Sequence, residues 1–171
     1  MKVSDLQTDE YHSYYKNYIN KAGSLDLMES LAEGFLETKA FFEAIPEKKY
    51  DFAYQEGKWT IKELLQHLID TERVFAYRAL RFAREDQAEL PGYDENSFAA
   101  NSNANKRTKA SLIQEYINLR KSSIDLFATF TNKMLLQKGI ASNGNLSVRA
   151  IGFIFVGHEN HHIEVIKERY L

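Results

Sequence analysis

Residues 147–171 read Ser147-Val-Arg-Ala-Ile151-Gly-Phe-Ile154-Phe155-Val-Gly-His158-Glu-Asn-His161-His162-Ile-Glu-Val165-Ile166-Lys-Glu-Arg-Tyr-Leu171. Wound at about 100° per residue, Ile151, Ile154, Phe155, Val165 and Ile166 form one apolar stripe, and His158 and His162 sit near its centre. Two imidazoles one turn apart thus point into the body of a helical protein. Burying a polar ring without a partner costs about 1–3 kcal/mol, so the pair requires a shared explanation. A cation supplies one, because side chains at i and i+4 are stacked on one face and reach the same ion. Hydrogen bonds from two core histidines to carboxylates or carbonyls would supply another.

Two ligands rarely hold a metal, and a facing helix offers the third. Thr60-Ile-Lys-Glu63 is a capping box, in which the Thr hydroxyl and the Glu carboxylate each satisfy an amide of the first turn. The helix it opens carries Ile61, Leu64, Leu65, Leu68 and Phe75 inward, with His67 at the flank of that stripe. Three neutral imidazoles and a water would suit zinc, nickel or another late first-row divalent ion. Asp70, one turn after His67, is a candidate to orient an imidazole, or else an exposed helix carboxylate. His158-Glu159-Asn-His-His162 also fits the H-E-x-x-H pattern, making Glu159 a candidate base. Its projection about 80° off the stripe favours a solvated flank instead, and Val165 and Glu168 stand where a metzincin needs glycine and histidine. His161 is off-centre and His12 remote in sequence, so neither is a first choice.

The rest of the chain reads as more helices. Only two prolines, Pro46 and Pro91, punctuate it. Ser24 is placed to cap a helix in which Leu25, Met28, Leu31, Phe35, Phe42 and Ile45 share a face before Pro46. Another begins around Thr108 to Ser111, turns Leu112, Tyr116, Leu119, Leu126, Phe127 and Phe130 inward, and frays toward Lys138-Gly139. With the helix after Asn143-Gly-Asn there are four long amphipathic helices and no strand pattern. The expectation is an all-α four-helix bundle, one domain over 1–171, with a short helix bearing Tyr11, Tyr14, Tyr15 and Tyr18 packed on its outside. Residues 85–106 are polar and aperiodic, fitting a crossover or a lid.

Composition narrows the function classes. Lys and Arg total 22 against 24 Asp and Glu, which gives no basic field for a nucleic acid. The chain has no cysteine, leaving any metal to His and carboxylates and fitting a reducing cytoplasm. No uncharged apolar run nears the roughly 20 residues that span a bilayer, so no membrane role is expected. Arg78, Arg81, Arg84 and Arg149 are placed to steer an anionic substrate or to pair with acids such as Glu72 and Glu85. Trp59, Tyr77 and the loop from Tyr93 to Asn96 are candidates for a pocket rim, although for the two aromatic rings core packing is the favoured reading.

The run Gly57-Lys-Trp-Thr-Ile-Lys-Glu-Leu-Leu-Gln-His67-Leu-Ile-Asp70-Thr-Glu72-Arg73-Val-Phe-Ala-Tyr77-Arg78 resembles the central signature of the DinB/YfiT-like superfamily, and Ser147-Val-Arg149-Ala with Gly157-His158-Glu-Asn-His161-His162 resembles its second. Arg81-Phe-Ala-Arg84 and Leu90-Pro-Gly-Tyr-Asp94 fall between them in matching order. The resemblance implies a four-helix bundle in which His67, His158 and His162 bind a divalent metal, commonly in a homodimer. It further implies a metal-dependent hydrolase or thiol S-transferase acting on a small molecule, with a low-molecular-weight thiol as a candidate partner. A non-catalytic, metal-stabilised binding or stress-response module is the alternative.

Overall fold

The computed structural model describes Met1–Leu171 in full. Its helices are α1 (Lys16–Lys21), α2 (Leu27–Ala44), α3 (Ile61–Ala83), α4 (Glu95–Asn101), α5 (Lys109–Ala128), α6 (Asn132–Leu135) and α7 (Val148–Arg169). A two-stranded antiparallel hairpin, β1 (Lys138–Ala141) with β2 (Gly144–Ser147), precedes α7. The four long helices α2, α3, α5 and α7 make the expected bundle. Each packs on two others in the order α2, α7, α3, α5, so α2 stands diagonally opposite α3 and α5 opposite α7, while α3 and α5 are neighbours. No helix is long and apolar enough to cross a membrane.

The caps explain the boundaries. Thr60 accepts from the Glu63 amide at 3.1 Å while Glu63 accepts from the Thr60 amide at 2.8 Å, which starts α3 where the capping box places it. Thr108 caps α5 through Ser111, and Ser147 caps α7 through Ala150. The first long helix departs from expectation: Asp26, not Ser24, is its N-cap. Asp26 also takes the N-terminal ammonium at 2.8 Å, a charge partner that Ser24 cannot offer.

Three local features differ from the sequence reading. The helix expected to fray toward Lys138 ends at Ala128, and the hairpin follows α6. The polar stretch 85–106 contains α4, capped by Asp94 on the Asn96 and Ser97 amides, and Leu90 bridges to Ala141 beside the hairpin. The N-terminal helix α1 does not merely cover the outside. It lies on α7 at Gly157, where a Cβ would stand 1.8 Å from the Tyr18 carbonyl oxygen, so only glycine admits it.

Two apolar clusters fill the bundle. One gathers Phe42, Tyr50, Ile61, Leu65, Tyr116 and Ile166. The other gathers Leu31, Phe75, Phe82, Phe127, Ile151 and Phe155. On α3 and α7 a polar belt separates them, containing His67, Thr71 and Glu72 on one helix and His158, Glu159 and His162 on the other. A buried polar belt demands internal partners.

Candidate metal centre

His67, on α3, and His158 and His162, on α7, are brought together in that belt. The Nε2 atoms of His67 and His158 are 3.1 Å apart, and those of His162 and His158 are 3.0 Å apart. All three ligand atoms lie within 4.8 Å of one another. His158 is buried, while His67 and His162 keep a partly exposed edge toward a cavity.

The electrostatics fit a cation. Burial holds the His67 imidazole down to about 4 and His162 to about 3, the latter helped by the neighbouring imidazoles. His158 is likewise held well below the ordinary imidazole value, by burial first and then by His162 and His67. All three rings are therefore neutral at pH 7 and carry a lone pair. His158 Nε2 holds either one hydrogen or one lone pair, so it satisfies only one of its two close contacts as a hydrogen bond. The Nδ1 of His162 is buried with no partner. A divalent ion among the three Nε2 atoms would answer this crowding of lone pairs, and the donor set fits one.

The surroundings are aromatic. Trp59 lies 4.8 Å from the His67 ring, and the Tyr18 ring meets His158 edge-on at 5.1 Å. The Thr71 hydroxyl stands 3.5 Å from His67 Nδ1 and 2.8 Å from the Tyr93 hydroxyl, linking the loop before α4 to this histidine. The cavity, of about 510 Å³, is lined by the three histidines and by Tyr15, Tyr18, Trp59, Phe75, Arg78 and Tyr93 among others. Burial raises the Tyr18 and Tyr93 hydroxyls above the usual tyrosine range, so both remain protonated donors.

Not every sequence candidate arrives here. Glu159 is not a solvated flank residue: it is 3% exposed, on a face of α7 away from the cavity, with Oε1 2.8 Å from the Arg120 guanidinium. Arg120 also donates to both Glu72 oxygens, at 2.8–3.1 Å, and so joins α3, α5 and α7. Burial lifts the Glu159 carboxyl to about 7 against the pull of Arg120. Asp70 accepts from Gln66 Nε2 at 2.9 Å and lies outside the cavity, so Thr71 rather than Asp70 faces His67. Tyr77 is half exposed and bonded to Arg81, while Trp59 and Tyr93 do line the cavity. His12 lines it too, and His161 does not. Tyr18 and Thr71 escaped the sequence reading, although Thr71 sits one turn from His67 and Gly157 next to His158 is a signal of close approach.

Comparison with known proteins agrees with this architecture. A relative from Oceanobacillus iheyensis, provisionally named a metal-dependent hydrolase, is 30% identical over 117 residues, or 67% of this chain. The chain spans 66% of that relative's length, just short of two thirds. The structure of YfiT from Bacillus subtilis, provisionally described as a metal-dependent hydrolase with an unusual four-helix bundle topology, superimposes with a TM-score of 0.71 at 20% identity, covering 83% of this chain and 82% of that one. A mycothiol-dependent maleylpyruvate isomerase shares the fold with a TM-score of 0.65 at 8% identity, over 99% of this chain and 63% of its own. The profile of the DinB superfamily matches residues 31–166, and the chain belongs to that superfamily.

Proposed function

We propose that this chain, acting as one domain, is a metal-dependent enzyme that holds a single zinc or nickel ion on His67, His158 and His162. Its reaction is hydrolysis of a small molecule or transfer of a low-molecular-weight thiol to one. The observation that carries this reading is the convergence of three neutral Nε2 atoms on one wall of a roomy cavity. A three-ligand set would leave the ion able to take a water or substrate, as catalytic rather than structural sites do. When bound there, the ion supplies Lewis acidity and brings the pKa of a water or thiol toward neutrality.

The protein's own residues do the remaining work. Thr71 and Tyr93 hold the orientation of His67, and Tyr18 packs on His158, so the two helices present their imidazoles in fixed directions. The Tyr18 and Tyr93 hydroxyls donate hydrogen bonds to a substrate, and the aromatic walls exclude bulk water. Thiol transfer is the second form of the reading, favoured by the thiol dependence of the isomerase that shares the fold. The homodimer and the cytoplasmic setting implied by the resemblance and by the absence of cysteine belong to the same proposal.

The test is a panel of esters, amides and electrophiles assayed with water alone and with several cellular thiols, using chelator-stripped protein and protein reloaded with zinc or nickel. Turnover that returns on reloading and is absent from His158→Ala supports the reading. Stoichiometric metal without turnover, together with a fourth protein ligand seen by X-ray absorption, would favour a metal-stabilised binding module.

A further inference from the structure

Of the four arginines that the sequence offers to an anionic substrate, three are engaged or turned away. Arg149 donates through Nε to Glu10 at 2.8 Å, Arg81 pairs with Asp86, and Arg84 extends over Phe130 at the exposed surface. Arg78 differs from them: it is 1% exposed, it lines the cavity, and no carboxylate pairs with it. Its Nη2 donates to the Pro91 carbonyl and the Ser142 hydroxyl, both at 2.9 Å, and its guanidinium stands 4.7 Å from the Phe75 ring centre. The other nitrogen, Nη1, is buried without a partner. Glu95, the acid that also borders the cavity, is exposed and does not reach it. A guanidinium keeps its charge even where burial disfavours it, so the cavity contains an uncompensated cation.

Its position relative to the histidines has a clear geometry. His67, Thr71, Phe75 and Arg78 all line the cavity from α3, at i, i+4, i+8 and i+11. Eleven residues of helix rise about 16 Å, and the long Arg78 side chain leans back toward the N-terminus and shortens that span. One end of the groove is thus imidazole, the other guanidinium, and the middle is apolar with Phe75 and Ile154.

We propose that Arg78 is the anion-binding end of the cavity, and that the ligand is an elongated small molecule whose carboxylate takes Nη1 while its reacting group lies at the three histidines. The placement of the reacting group rests on the function proposed above; the carboxylate site does not need the metal. Screened from bulk water, a charge-assisted hydrogen bond at Nη1 is strong and selects carboxylate over a neutral amide of the same shape.

Octanoate and octanamide are the probes, with calorimetry and Trp59 fluorescence as readouts, on metal-free and zinc-loaded protein. Metal-free wild type is expected to bind octanoate about tenfold more tightly than octanamide. Arg78→Gln removes that preference while leaving octanamide affinity nearly unchanged, and Arg78→Lys retains part of it. If octanoate binds metal-free wild type no better than octanamide, or not at all, the proposal is overturned whatever the variants do. A preference that needs zinc and survives Arg78→Gln also overturns it, because the ion then holds the carboxylate, and the metal centre stands. An Arg78-dependent preference in a chain that takes up no zinc supports the anion site and removes the metal reading instead.

Discussion

Gly157 of α7 faces the carbonyl oxygen of Tyr18 so closely that a Cβ at this glycine would fall 1.8 Å from it. That contact seats α1 against α7 and lays the Tyr18 ring on His158. Because the obstructing atom is backbone, no side-chain rotation relieves an added methyl. Gly157→Ala is expected to cost about 2–3 kcal/mol, roughly 5–10 °C in Tm for a chain of this size. Thermal unfolding followed by circular dichroism checks it.

Arg120 is fully buried between Glu72 and Glu159. Removing the cation leaves two buried carboxylates without compensation, and Arg120→Met is expected to destabilise by about 3–5 kcal/mol at pH 7. The double variant in which Glu72→Gln accompanies it should recover part of the loss. Urea unfolding of the two variants beside the wild type measures both.

Glu10 joins the N-terminal segment to the start of α7 through Arg149 and the Ser147 hydroxyl. Burial alone would raise its carboxyl, but the hydrogen bonds from Arg149, the Gln7 amide and Ser147 outweigh it and hold the group below the usual range. A depressed carboxylate contributes stability above its unfolded pKa and loses it as pH falls through the folded value. Glu10→Gln should therefore destabilise by about 1–3 kcal/mol at pH 7 and progressively less below about pH 4.5. Urea midpoints at pH 7, 5 and 3.5 follow the convergence of the two proteins.

Thr71 is the side chain nearest the free ring nitrogen of His67, at 3.5 Å, and Tyr93 steadies it. Partners of this kind fix a ligand's tautomer, and their loss typically lowers metal affinity 10- to 100-fold. The long contact places Thr71→Val near the lower end, about tenfold weaker for zinc, with a smaller effect from Tyr93→Phe. Competition with a chelator of known affinity determines both.

Much of the bundle is legible from the chain because its signals are local. The Thr60–Glu63 box starts α3 in the expected place, and the i, i+4 spacing of His158 and His162 turns both rings to one side. The hairpin is not legible for a related reason. Its strands are four residues each, and its turn uses Ser142 and Asn143 in left-handed backbone, φ 52° and 62°, whereas an Asn-Gly reading would place the turn one residue later. Helix α4 offers too few apolar residues for a period to show. The angle of Glu159 from the stripe suggests solvent, but α7 packs against α1, α2 and α3 and is buried on every side from Val148 to Glu159. Tyr18 reaches the site through a tertiary contact at a glycine, which helical projection of either segment alone does not reveal.

Whether the three imidazoles share one ion is decided by metal content per chain for protein purified without added metal. Wild type and the single variants His67→Ala, His158→Ala and His162→Ala are compared, each shown to be folded by circular dichroism. A shared site gives about one zinc or nickel per wild-type chain and little in any of the three variants. Folded variants that retain a full equivalent of metal would contradict it.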